Sequence, residues 1–108
     1  MPGIVQVIQP SGQIDNSKIV LLNQEIAKFI EQDISLILID FRDATSITTE
    51  GVSALYDVFQ LAIVRKSKLY ICALSPSVKQ AFEQVKLLRE FAPLTNRREF
   101  EEIILACN

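Results

Sequence analysis

Leu36-Ile37-Leu38-Ile39-Asp40 is the stretch on which the fold turns. Four apolar residues follow one another without a polar alternate, and the run is too short for a buried helix. Its β-branched residues favour a strand covered by helices on both faces. Downstream, the polar stretch Arg42-Asp43-Ala44-Thr45-Ser46-Ile47-Thr48-Thr49 gives way to Val52, Leu55, Phe59, Ala62 and Ile63 at helical spacing. Upstream, Ile19, Leu22, Ile26, Phe29 and Ile30 keep the same period and predict a helix over about residues 17–32. Asp15, Asn16 or Ser17 can cap its start. A buried strand between two one-faced helices is the repeating unit of a layered α/β domain.

The flanks extend this unit. Ile4-Val5-Gln6-Val7-Ile8 reads as a strand closed by Pro10, which has no N–H to donate. Ser11-Gly12 is turn chemistry, and Gln13-Ile14 reads as a short strand returning beside the first. Leu69-Tyr70-Ile71-Cys72-Ala73-Leu74 reads as a further strand. Ser75-Pro76 then opens a helix, serine as cap and proline where a missing N–H costs nothing, with Val78, Ala81, Phe82 and Val85 as its buried face. Phe91 to Leu94 reads as a weak edge strand carrying Pro93, a route to weak homodimer pairing. Asn96 with Glu99 resembles a capping box for a last helix lined by Phe100, Ile103, Ile104 and Cys107. The expected order is β-β-α-β-α-β-α-β-α over a single domain, residues 1–108. That is an α/β layered fold with a mixed, mostly parallel central sheet of about five strands and about four helices.

Composition removes several functions. At 108 residues and 49% hydrophobic content, folding buries roughly 65% of the chain's surface, enough for a core without metals or crosslinks. Eleven Lys+Arg against 13 Asp+Glu leave a net charge of −2, so no nucleic-acid partner is expected. The chain has no histidine, which excludes His-based triads and His metal sites. Cys72 lies in an apolar run and Cys107 is next to last, so neither suggests an oxidised framework. The first residues do not form a signal peptide, and no apolar run reaches the ~20 residues of a membrane helix. The expected setting is the cytoplasm, with no membrane partner.

Few residues offer chemistry. Asp40 and Asp43 follow the buried strand, where α/β folds place function, but they suit turn capping and solvation of the strand end better. The three glycines, Gly3, Gly12 and Gly51, make no phosphate-cradling loop. Arg65, Lys66 and Lys68 complement the second helix's dipole, and Arg97 and Arg98 are balanced by Glu99, Glu101 and Glu102. No catalytic residue, metal or cofactor is expected, and the chain is not read as an enzyme. Two readings stand for Thr45, Ser46, Thr48 and Thr49. In one, Thr48 or Thr49 caps the second helix and Glu50 faces its positive end. In the other, the helix start accommodates a covalently attached phosphate.

The ordered segments resemble the STAS family, the bacterial anti-sigma factor antagonists. Ser11-Gly12-Gln13-Ile14-Asp15 is similar to the family's turn before the first helix. Leu36 to Phe41 followed by Ile47-Thr48-Thr49-Glu50-Gly51-Val52 is similar to its central strand and "D-S-S/T-G-L" motif. Leu74 to Val78 and Phe91 to Thr95 are similar to its later helix start and final strand. The resemblance implies binding to an anti-sigma factor that is also a serine/threonine kinase of the partner-switching type, and release on phosphorylation. It puts the phosphoacceptor on Thr49, with Thr48 as a second candidate, and Asp15 near the partner surface. Thr48 stands where the family has aspartate, and Glu50 where it has a second hydroxyl, a like charge beside any phosphate. The expected partner surface joins Asp15, Glu50 and Gly51 to Ser53, Tyr56, Asp57 and Gln60, which share one helical face. The alternatives are an ordinary solvated face and a STAS scaffold or adaptor that is not phosphorylated.

Overall fold

A computed structural model describes residues 5–106. The elements run β1 (Val5–Ile8), β2 (Gly12–Ile14), α1 (Asn16–Glu31), β3 (Leu36–Asp40), β4 (Ala44–Ile47), α2 (Thr49–Val64), β5 (Lys68–Cys72), α3 (Pro76–Gln84), α4 (Leu88–Phe91) and α5 (Arg97–Ala106). The α/β class and the parallel sheet match the expectation. Among the described residues are five strands, divided between a three-stranded sheet, β1-β3-β5, and a two-stranded sheet, β2-β4, with every pairing parallel.

β3 lies in the middle of the larger sheet, which explains its unbroken apolar run. Ile37 and Ile39 face the main core, joined by Ile8, Leu69 and Ile71 and covered by Ile26, Ile30, Val52, Leu55, Val78 and Phe82. Leu38 faces the other way, with Cys72 and Phe100. α5 covers this second face through Phe100, edge-on to Tyr70 at 5.6 Å, with Leu94 packed beside it. An aromatic chain fills the far end of the main core: Phe41 on Phe82, Phe82 on Phe91, and Phe91 on Phe59 and Tyr56.

Three local expectations are corrected. β2 pairs with β4 and not with the first strand. Thr45 and Ser46, read as part of a polar turn, lie in β4, whose Ala44 and Ile47 are buried while Thr45 faces solvent. The edge strand expected over Phe91–Leu94 does not form, and the homodimer route through it falls with it. Phe91 ends the short helix α4 and is buried against the aromatic chain, and Ala92 stops that helix in the left-handed region at φ 45°. Leu94 makes a single bridge to β5, its N–H donating to Ile71 O at 2.8 Å and its C=O accepting from Ala73 N–H at 3.2 Å. Burial of Phe91 outweighs the strand reading of a segment too short to commit itself. Ile4 and Cys107 lie outside the described residues.

Candidate functional site

β2 and β4 lie in parallel with Ile14 opposite Ile47, and the Thr48 N–H donates to Ile14 O at 3.4 Å. They therefore deliver α1 and α2 side by side, both starting from the same edge. Asp15 caps α1, its carboxylate accepting from the Lys18 N–H at 3.0 Å. Lys18 Nζ donates to Ser11 O at 2.8 Å and ties the first turn back to the β1–β2 loop. Thr48 caps α2: its hydroxyl accepts from the Gly51 N–H at 2.9 Å and its C=O from the Val52 N–H at 3.0 Å. These bonds satisfy donors that a helix start otherwise leaves unpaired. Glu50 is exposed in the same first turn, favourably placed against the helix dipole.

The two threonines thus do different work. Thr48 holds the cap, whereas Thr49 is the first helical residue and is half-exposed, its hydroxyl not engaged in the cap. Neither is sunk in the interior. Gly51, expected on the partner surface, is buried, and a Cβ there would meet Thr48 Oγ1 at 3.0 Å and Ile47 Cγ1 at 3.2 Å. Its role is to let the turn close tightly over Ile47. Ser53, Asp57 and Gln60 are exposed on α2 as expected. Tyr56 departs from that face: it is half-buried, stacked on Phe59 at 6.1 Å and edge-on to Phe91 at 6.0 Å. The register of β2 and β4 sets Asp15 and Thr48 at neighbouring helix starts, with Thr49 and Glu50 in the first turn of α2 and Ser53 further along its exposed ridge.

A side-chain network not legible in the sequence joins the ends of β1 and β3 to α5. Asp40, at the end of β3, is buried; its Oδ1 accepts from the Arg42 N–H at 2.9 Å and its Oδ2 from Arg97 Nε at 2.6 Å. It therefore caps the turn as expected but is not solvated there, and Arg97 finds its partner 57 residues back instead of among its neighbouring glutamates. Arg97 Nη2 also donates to Gln9 Oε1, and Gln9 Nε2 donates to Asp43 Oδ2 at 2.6 Å. A signal was present: arginine in the first turn of a helix opposes the dipole and calls for a partner elsewhere. Beside Asp40, the buried Cys72 thiol is pushed up to about 11, first by desolvation and then by the Asp40 charge. It is an inert core thiol. Among the described residues, no group of three His, Cys, Asp or Glu side chains is arranged to hold a metal. Nor is any helix among them long and apolar enough to cross a membrane.

The parallel sheets and the paired helix starts define an α/β domain with a hydroxyl-bearing turn at the start of α2. The chain belongs to the STAS domain family, whose sequence profile matches residues 2–101. No curated protein matches it significantly. Among solved structures, the anti-sigma factor antagonist SpoIIAA in its unphosphorylated form is similar with a TM-score of 0.80 at 18% identity, over 98% of this chain and 93% of that one. The STAS domain of a SulP transporter from Vibrio cholerae is similar with a TM-score of 0.67 at 12% identity, over 88% and 75%. A sulfate transporter family protein from Wolinella succinogenes gives 0.67 at 11% identity, over 84% and 75%. At such identities the likeness is one of fold.

Proposed function

We propose that this chain is an anti-sigma-factor-antagonist-like regulator. It binds a kinase-like anti-sigma partner in the cytoplasm and is switched by phosphorylation at the start of α2. The observation that supports this most is Thr49: half-exposed, not part of the cap, and in the first turn of α2 where two helices begin together. Free N–H groups at such a start accommodate phosphate oxygens. Adding about −1.5 to −2 charge there would oppose a partner already facing Asp15 and Glu50, without unfolding the domain. Thr48 is the poorer acceptor, since its hydroxyl holds the cap. The docking surface extends from Asp15, Thr49 and Glu50 along Ser53, Asp57 and Gln60.

The test is incubation with ATP and a candidate anti-sigma kinase, read by intact mass beside Thr49→Ala and Thr48→Ala. A gain of one phosphate that Thr49→Ala abolishes is the expected result. Partner binding with no modification under those conditions would overturn the switch.

A second reading is favoured by Glu50. Its exposed carboxylate beside Thr49 already supplies negative charge at the helix start, as suits an unphosphorylated STAS scaffold. Replacing Glu50 by serine together with Thr48→Asp restores the phosphorylated family's pattern. If the scaffold reading holds, that pair of changes confers modification that the wild-type chain lacks.

A further inference from the structure

The small β2-β4 sheet carries both caps of the candidate site, Asp15 and Thr48, and is not continuous with the larger sheet. Two connectors join the sheets, residues 9–11 between β1 and β2 and residues 41–43 between β3 and β4. Gln9 lies in the first and Asp43 in the second, and they are bonded to each other. Arg97, from α5, closes the ring by bonding Asp40 at the end of β3 and Gln9. The ring Asp40–Arg97–Gln9–Asp43 therefore sits across both hinges. The Gly12 N–H, donating to Asp43 O at 2.9 Å, continues it into β2.

We propose that Arg97 is a positioning residue for the candidate site. By bridging Asp40 and Gln9 it sets the angle between the two sheets, and with it the placement of the α1 and α2 starts. The proposal rests on reading those starts as the docking surface. Its geometry suits arginine: one planar guanidinium reaches a carboxylate through Nε and an amide through Nη2, two donors held a fixed distance apart that lysine's single nitrogen on a flexible stem does not supply. Asp40, almost wholly buried, needs a cation for its own sake. A purely structural role would ask of Arg97 that positive charge and nothing more. Bridging to Gln9 is what a positioning role adds.

Arg97→Lys separates the two roles, because it keeps the charge at Asp40 and loses the bridge. Gln9→Leu, at an exposed position, loses the same bridge without leaving a buried charge unpaired. The measurement is amide hydrogen exchange by NMR on the whole chain, needing neither kinase nor partner. Both variants are expected to exchange about ten-fold faster at Gly12 and to move the Gly51 and Val52 resonances, while Ile26, Ile39 and Leu55 keep wild-type protection. Wild-type behaviour at Gly12 and Gly51 in Arg97→Lys would overturn the proposal, as would a uniform loss of protection in Gln9→Leu. Should Arg97→Lys fail to fold, Gln9→Leu decides alone. A chain that is never phosphorylated would still give the expected exchange pattern, so failure of the switch and failure of the positioning role are read apart.

Discussion

β3 and β4 are neighbours in sequence and are held by opposite means. Every residue of β3 from Ile37 to Asp40 is buried, and both of its faces are covered. β4 buries only Ala44 and Ile47, and its one strand partner, β2, is three residues long with a register shift between Gly12 and Gln13. The first strand is stabilised by removal of apolar surface from water, the second by caps, connectors and hydrogen bonds that must all be satisfied together. The candidate docking surface, with its backbone and hydroxyls near solvent, lies on the second kind of strand, while the first kind supplies the rigidity behind it.

The widest separation between the two regions comes from removing buried volume. Ile39→Ala leaves a cavity at the centre of the main core, and a loss of about 3–4 kcal/mol is expected, much of a typical domain's stability. Urea denaturation should show the midpoint falling with the slope unchanged. Losing as little there as a surface substitution would mean that β3 is not the keystone described. The same burial governs Cys72. Its folded value of about 11 lies above that of an unfolded thiol, so the contribution to stability is complete below about pH 8.5 and is lost as pH rises through 11. Alkylation mapped by peptide should leave Cys72 unmodified at pH 8 in the native chain and label it in denaturant.

In the first turn of α2, directly after the small sheet, the largest effect is expected at Gly51. Alanine normally stabilises a helix interior by about 1 kcal/mol relative to glycine. Here its Cβ would crowd Thr48 Oγ1 and Ile47 Cγ1, and both neighbours are fixed, one by the cap and one by the core. Gly51→Ala is therefore expected to destabilise by about 1–2 kcal/mol, against the propensity trend. Thermal unfolding checks the sign. A rise in Tm would show that the turn has room and that the cap is looser than its geometry implies.

The unequal legibility of the sequence follows the same division. Ile37 and Ile39 announce themselves in an unbroken apolar run and α1 and α2 in their helical stripes, because burial leaves a pattern that survives in one dimension. Ser75-Pro76 and Asp15 were readable as helix starts because capping acts over three or four residues. β4 was not readable: Ala44-Thr45-Ser46-Ile47 is a strand only because β2 lies beside it, and no local pattern encodes that partner. Phe91 misleads for the reverse reason, since a lone aromatic two residues before a proline fits an edge strand as well as one turn of buried helix. Arg97 and Asp40 were seen separately, but a bond spanning 57 residues leaves no mark on local spacing. The candidate acceptor turn is legible only through resemblance and capping chemistry, and helical phase sets Tyr56 and Gly51 on its outer surface because phase alone does not show which neighbour covers a residue.

The finest distinction falls between two adjacent threonines. Thr48→Ala removes the hydroxyl that accepts from the Gly51 N–H, and a cost of about 1 kcal/mol is expected, with faster exchange at Gly51. Thr49→Ala removes a half-exposed hydroxyl that plays no part in the cap, and a change within about 0.5 kcal/mol is expected. Both are measured by urea denaturation under the same conditions. The inequality matters more than either value. A hydroxyl that stabilises the helix start loses that role when it is esterified, whereas one that stabilises nothing is free to be modified and released. If Thr49→Ala proves the costlier of the two, Thr49 is the true cap. The assignment of acceptor then passes to Thr48, and modification would have to act by loosening α2 instead of by adding charge to an intact surface.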